Sequence, residues 1–188
     1  MGWAIRKLQI RLFGSFSCQW DTGELVDIRG AKHRALIAML ATAPDGKHTR
    51  NWIQETLWQR SGEEHGRASL RRSLSDLCKI LGDDFDRIFT TTNADIQLDP
   101  SQFNVIGGPA DGQFAEGIAI PEVGFVQWVR QKRKLLRNDF LLSSQDPQTQ
   151  LAPRIAIVPS PRDTWPKRRN ISAILSLRRS QGPCRAPA

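Results

Sequence analysis

The chain has 188 residues, of which 39% are hydrophobic and 24% charged, and its formal net charge is +8. This composition suits a folded domain with one apolar core. No run of about 18 apolar residues occurs, and the N-terminus lacks the long apolar segment of a secretory signal. A soluble, cytoplasmic protein with no membrane partner is therefore expected.

The positive charge is concentrated near the C-terminus. From Leu151 onward there are eight basic residues and one acidic residue, a net of +7 out of the chain's +8. The basic residues are Arg154, Arg162, Lys167, Arg168, Arg169, Arg178, Arg179 and Arg185. The net charge of the chain therefore comes almost entirely from this segment. Only a local basic patch can indicate a nucleic-acid surface.

Three short strands are predicted near the N-terminus. Residues 8–14 alternate between apolar and polar side chains, as a half-buried strand does. Residues 16–20 and 25–28 form two further strand-like runs, separated by a turn at Asp21-Thr22-Gly23. The expected arrangement is a small antiparallel meander.

Two helices are predicted next. Residues 31–43 carry Leu36, Ile37 and Leu40 on one side, and Pro44 ends the helix. After the turn at Pro44-Asp45-Gly46, Thr49 is a suitable N-cap for a second helix that runs to about Trp58.

Residues 61–82 predict a third helix with two contrasting faces. Its apolar side is spaced by three and four residues, and its opposite side is basic. Ser61 and Glu64 have the spacing of a capping box, and Gly82 is placed to end the helix. The apolar residues are Leu70, Leu74, Leu77, Cys78 and Leu81, and the outward polar residues are Arg67, Arg71, Arg72, Ser75 and Lys79.

A hairpin follows the third helix. Residues 88–91 and 96–98 are short strand-like runs, and the four residues between them are typical of a hairpin turn. The predicted order of elements is therefore three strands, three helices and a hairpin.

This order of elements resembles the winged helix-turn-helix of the OmpR/PhoB type, and within it the DNA-binding part of SARP-like bacterial transcriptional activators. The resemblance covers roughly residues 8–105. It is carried by LQIRLFG near the start, RGAKHRALIAMLATAPDGKHTR through the first helix and its turn, LW at Leu57-Trp58, and RASLRRSLSDLCKILG in the third helix.

A second resemblance begins at Phe114. The segment FAEGIAIPEVGFVQWVRQKRKLLRNDF is similar to the first helix of the bacterial transcriptional activator domain, with Phe125, Val129, Leu136 and Phe140 on one side. The expected fold is α+β, with an N-terminal antiparallel sheet, three helices, a C-terminal β-hairpin wing and an amphipathic helix. The expected division is a winged helix-turn-helix at 1–105, a truncated activator-domain helix at 106–142, and a basic tail of low order at 143–188.

The resemblance implies that the third helix enters the major groove of double-stranded DNA. Arg67 and Arg71 are then the candidates for base edges, beside Ser75, while Arg72 and Lys79 are candidates for phosphate contacts. Thr49 and Arg50, at the start of the second helix, either bind a phosphate or serve only as an N-cap and a surface arginine. Asn93, at the tip of the wing, offers a neutral hydrogen-bonding group.

Enzyme activity is not indicated. No GxSxG, P-loop, HExxH or GxGxxG pattern occurs, and the three cysteines form no CxxC pair. Asp83, Asp84 and Asp86 are typical of a solvated acidic turn. Neither a catalytic residue, a metal site nor a cofactor is expected.

Two functions from different classes remain. The first is sequence-specific DNA binding and regulation of transcription, in the cytoplasm at the nucleoid. Activation would also require contact with RNA polymerase, for which the sequence singles out no residue. The second is a protein-interaction fragment that pairs through residues 123–140 with another copy or a longer relative, without productive DNA binding.

Overall fold

The computed structural model describes residues 6–143, with side chains to Arg137. The predicted basic tail at 143–188, apart from Ser143 in the last helix, and the predicted side-chain position of Phe140 therefore lie outside what is described. The elements, in chain order, are β1 (Leu8–Arg11), β2 (Ser17–Trp20), β3 (Leu25–Val26), α1 (Ala31–Ala41), β4 (Lys47–Thr49), α2 (Arg50–Leu57), α3 (Glu63–Leu81), α4 (Phe85–Ile88), β5 (Phe89–Thr91), β6 (Asp95–Leu98), β7 (Phe103–Ile106) and α5 (Val123–Ser143).

The N-terminal sheet has four strands in the order β3-β2-β1-β7. The meander of β1 to β3 is antiparallel as predicted, with Leu8 opposite Trp20. The prediction missed β7, which lies parallel to β1 and places Phe103 beside Leu8. Parallel neighbours are joined by a long crossover, so the local pattern of either strand does not reveal the pairing.

The first strand ends three residues earlier than predicted. Alternation stops after Arg11, because Leu12 and Phe13 are both buried. Gly14 then adopts a positive φ of 70°, and its amide donates a hydrogen bond to the carbonyl oxygen of Gln113 at 3.0 Å. The chain therefore leaves the sheet at this point and packs against a much later segment.

The first two helices form near the predicted positions. The residues Ala35 to Leu40 of α1 are all fully buried, so this helix lies at the centre of the core. Thr49 caps α2 as predicted, since its hydroxyl oxygen accepts a hydrogen bond from the amide of Trp52 at 3.3 Å. This satisfies one of the amides that a helix N-terminus leaves without an intrahelical partner.

The predicted capping box at the start of α3 is wrong. Ser61 lies in a 3₁₀ turn, and Gly62 is the N-cap residue, with a φ of 70°. Among residues 6–143, no side chain forms a cap hydrogen bond at this N-terminus. The positive φ of Gly62 redirects the chain after Ser61, so Ser61 and Glu64 do not hold the reciprocal geometry. Gly82 ends the helix with a φ of 58°, as predicted.

The predicted hairpin is part of a larger wing. β5 and β6 pair in antiparallel register, and β4 adds a third strand on the other side of β6. Thr49 of β4 faces Asp95 of β6. The sequence pattern did not reveal β4, because three residues are too few to show alternation.

The segment that follows the wing shares the core of the rest of the domain. Phe114 makes edge-to-face contacts with Phe13 and with Trp128, at ring-centroid distances of 5.8 and 5.7 Å, and Trp128 stacks on Phe125 at 5.6 Å. The same buried cluster contains residues of α1, α2 and α3. The predicted domain boundaries near 105 and 142 remain a prediction. Within residues 6–143, no helix is long and apolar enough to cross a membrane.

An ion-pair cluster joins the N-terminal segment to the turn after α3. Asp84 accepts hydrogen bonds from Arg6 and from Arg87, each at 2.7 Å. Arg6 also lies over the ring of Trp20, 4.3 Å from its centroid. Partial burial raises the pKa of Asp84, but the hydrogen bonds from Arg87 and Arg6 outweigh burial and lower that pKa below its ordinary value.

We expect Asp84→Asn to lower the free energy of unfolding by about 1–3 kcal/mol at neutral pH, because two guanidinium groups lose a charged acceptor. A carboxylate whose pKa is depressed by folding contributes stability above its unfolded pKa. That contribution is lost as the pH falls through the folded pKa. The difference in the free energy of unfolding between wild type and Asp84→Asn should therefore shrink below about pH 3.8, which is the ordinary pKa of this carboxyl group. Urea unfolding at several pH values measures this difference.

Asp83→Asn is the matched control, since Asp83 is an exposed carboxylate in the same turn. This control should leave neutral-pH stability nearly unchanged. A difference in the free energy of unfolding between wild type and Asp84→Asn that does not change with pH would contradict the role of Asp84 as an ionised partner of Arg6 and Arg87.

Candidate nucleic-acid interface

The exposed side of α3 is basic. Arg67, Arg71, Arg72 and Lys79 are exposed, and Ser75 is half-buried. The opposite side is in the core and includes Leu70, Leu74, Leu77 and Leu81. The two faces predicted from the helical spacing are therefore confirmed, while the role of each polar residue remains a prediction.

A close contact with α2 fixes the position of α3. The side chain of Gln54 donates a hydrogen bond to the carbonyl oxygen of Glu63 at 2.8 Å. A Cβ at Gly66 would lie 2.7 Å from Cγ of Gln54, which is closer than real side chains approach. Glycine is a poor helix former, and here it allows the two helices to approach.

The N-terminus of α2 lies beside the turn of the wing. The amide of Arg50 donates a hydrogen bond to the carbonyl oxygen of Ala94 at 2.8 Å. The Nε atom of Arg50 donates to the carbonyl oxygen of Thr92 at 2.5 Å. These bonds hold the start of α2 and the turn between β5 and β6 together.

Arg71 brings a second positive charge to the same place. Burial lowers the pKa of Arg50, and the nearby positive charge of Arg71 lowers it further. Two predicted site residues, one at the start of α2 and one in the middle of α3, therefore interact electrostatically. Positive charges that repel one another favour the binding of an anion on the same surface.

The wing turn itself is neutral at its tip. Asn93 is exposed, and the hydroxyl of Thr92 closes the turn by accepting a hydrogen bond from the amide of Asp95 at 2.9 Å. Lys47 of β4 lies 2.9 Å from the carboxylate of Asp95. Sequence reasoning missed Lys47 as a cation of the wing, because its only signal is its pairing with β6.

Two of the four cations on α3 have acidic partners. Arg67 pairs with Glu63, and Lys79 lies 3.5 Å from Asp76. In the part of the chain from 6 to 143, neither Arg71 nor Arg72 forms an ion pair. Exposed pairs contribute little stability and exchange readily with other anions. All four cations are therefore available to a polyanion.

The acidic turn after α3 contains Asp83, Asp84 and Asp86. Between residues 6 and 143, no three His, Cys, Asp or Glu side chains are grouped so that they could hold a metal ion. The carboxylate of Asp84 is bonded to Arg6 and Arg87. The acidic turn therefore serves to anchor the chain.

The comparison with solved structures gives one informative likeness. Over 74% of this chain, the structure matches Mycobacterium tuberculosis EmbR, solved in complex with a low-affinity phosphopeptide, with a TM-score of 0.58 and 17% sequence identity. The chain spans 44% of the length of that EmbR chain. No family model matches the sequence, and no curated protein matches it significantly. The likeness shows a winged-helix-like α+β fold.

We expect Gly66→Ala to lower the free energy of unfolding by about 1–3 kcal/mol, because the added methyl group overlaps Gln54. In a Gln54→Ala background the overlap is removed. There the same substitution should stabilise the protein by up to about 1 kcal/mol through helix propensity. A double-mutant cycle measured by urea unfolding tests this. Equal effects of Gly66→Ala in both backgrounds would show that the contact does not set the distance between the helices.

Proposed function

We propose that this protein binds double-stranded DNA sequence-specifically and regulates transcription, with α3 in the major groove. The observation that carries the proposal is the local arrangement of charge. The N-terminus of α2 is bonded to the wing turn, α2 packs against α3, and the charge of Arg71 on the exposed basic face of α3 acts on Arg50. A helix of this kind presents Arg side chains to base edges, while helix N-termini and other cations bind phosphates.

The proposed roles follow the positions along the helix. Arg67 and Arg71 contact base edges, with Ser75 one turn beyond Arg71 on the same side. Arg72 and Lys79 contact phosphates. For Arg67 and Lys79, binding requires exchange of an exposed carboxylate partner for the nucleic acid, at small cost.

The α2 N-terminus supplies a phosphate contact in this proposal. The hydroxyl of Thr49 already accepts a hydrogen bond from Trp52, so Thr49 acts as the cap. The side chain of Arg50 is aligned by the wing turn and keeps further N–H groups for an anion. Asn93 adds a neutral contact at the wing. A bound phosphate would relieve the repulsion between Arg50 and Arg71.

The rival function, pairing through residues 123–140, has less support. Phe125, Trp128 and Val129 are buried against this chain's own core. Among the described side chains of α5, residues 123–137, the exposed large apolar ones are Val123, Val126 and Leu135, at 52%, 38% and 42%. Val123 and Val126 are neighbours one turn apart and Leu135 lies more than two turns further along, so they form only a small exposed apolar area, which is common on protein surfaces. An oligomer in light scattering that shifts no duplex would favour the rival.

Selection of bound duplexes from a random pool should yield a defined motif, and affinity for that motif should depend steeply on salt. If the three cations assigned to phosphates each neutralise one, the slope of log affinity against log salt should be about −3. The three are Arg50, Arg72 and Lys79. A slope near zero, or a pool that stays random, would contradict the proposal.

Changing individual cations should separate specificity from general affinity. Arg71→Ala should cost about 1–3 kcal/mol at one base pair of the motif, whereas Lys79→Ala should weaken motif and random duplexes alike. The measurement is a binding titration on the motif, on its single-base variants and on a random duplex.

Arg130→Ala is the matched control, because Arg130 is an exposed arginine on α5. This variant should bind as wild type does. Equal losses for Arg71→Ala and Lys79→Ala on every duplex would refute the division of roles.

A further inference from the structure

Glu122 is a buried carboxylate at the start of α5. Its side chain lies in the interior, and the residue is only 5% exposed. Its backbone carbonyl oxygen accepts a hydrogen bond from the amide of Val126 at 3.1 Å, so the residue begins the helix. Buried carboxylates require partners, since desolvation of an unpaired charge is costly.

The partners of Glu122 lie on two other elements. One carboxylate oxygen accepts a hydrogen bond from the amide of Arg60 at 3.3 Å. The other lies 3.6 Å from Nζ of Lys32, on α1. The same Nζ atom is 4.9 Å from the ring centroid of Trp58, which ends α2. One side chain thus joins α1, the start of α5 and the turn between α2 and α3.

Close packing brings Glu122 to this turn. A Cβ at Gly124 would lie 3.1 Å from Cα of Thr56 and 3.2 Å from the carbonyl oxygen of Glu55. The first turn of α5 therefore lies against the backbone of α2. Because backbone atoms move less readily than side chains, this contact leaves the carboxylate little freedom to shift away from the turn.

Glu122 contacts the turn between α2 and α3, and this turn sets the direction in which the chain enters α3. Within the described residues, α3 has no side-chain cap, and its N-cap Gly62 has a positive φ. The turn is held from outside by two groups: Gln54, bonded to the carbonyl of Glu63, and Glu122, bonded to the amide of Arg60. These bonds position the turn and the first residue of α3, although neither satisfies an amide of the first turn of that helix.

We propose that Glu122 is a positioning residue for the DNA-contact helix. It holds the turn that precedes α3 and thereby couples the segment beyond the wing to the orientation of the basic face. This inference rests on the proposed DNA binding for its functional part. Its structural part, the hold on the turn, is measured without DNA.

The experiment compares three variants of the full chain by hydrogen exchange and by titration of the selected duplex, under conditions where circular dichroism shows all of them folded. Glu122→Ala should speed exchange at the Arg60 amide and weaken binding about tenfold, the factor that corresponds to 1.4 kcal/mol. Glu122→Gln keeps an oxygen acceptor for that amide, so exchange and affinity should stay within about threefold of wild type.

Lys132→Ala is the control for a general loss of α5 packing. The Nζ atom of Lys132 donates to the carbonyl oxygen of Thr42 at 2.8 Å, so this residue also anchors α5, at a place other than the turn. Its substitution should lower thermal stability and leave exchange at Arg60 unchanged.

Unchanged exchange at Arg60 in Glu122→Ala overturns the inference, as do equal effects of Glu122→Ala and Lys132→Ala on exchange and affinity. If Glu122→Ala does not fold, Glu122→Asp takes its place. Its shorter side chain should retreat from Arg60 and speed exchange, and no change there overturns the inference. A wild type that binds no duplex refutes the proposed function instead, while exchange at Arg60 still decides whether Glu122 holds the turn.

Discussion

Burial of the leucine face of α3 is the interaction on which the other features depend. Leu70 and Leu77 are almost completely removed from water, and each such side chain contributes about 1.5–3 kcal/mol relative to an exposed position. Because these residues must face α1 and the core, the arginines on the opposite side must face solvent. The orientation of the basic face is therefore a consequence of hydrophobic packing.

The helix α2 connects the basic helix α3 to the wing. Its start is bonded to the wing through Arg50, and its middle approaches α3 through Gln54. For a nucleic-acid surface, the local charges of α2 and α3 are more informative than the net charge of the chain. Residues 1–150 carry a net of only +1, yet the positive charge of Arg71 lowers the pKa of Arg50.

The segment beyond the wing contributes to the same structure. Phe114 and Trp128 link it to Phe13 at the end of β1, and Glu122 links it to the turn before α3. Removal of this segment would expose apolar surface of the winged-helix core, and the carboxylate that holds the turn would be lost with it. Its aromatic residues thus serve the chain's own core, whatever else the remainder of α5 contacts.

The sequence by itself determined the elements whose periodicity is local. The two faces of α3, the cap at Thr49, the end at Gly82 and the β5–β6 hairpin follow from spacing and from residues with strong conformational preferences. The candidate cations of α3 could be named for the same reason, since helical spacing alone assigns them to the polar side.

Only the tertiary structure decided which distant segments meet. It paired β7 with β1 and β4 with β6, replaced the expected capping box with a turn at Gly62, and placed Glu122 beside Arg60. These contacts join residues far apart in the chain. They depend on the packing of helices and sheets around α1, and a local pattern of apolar and polar residues carries no information about that packing.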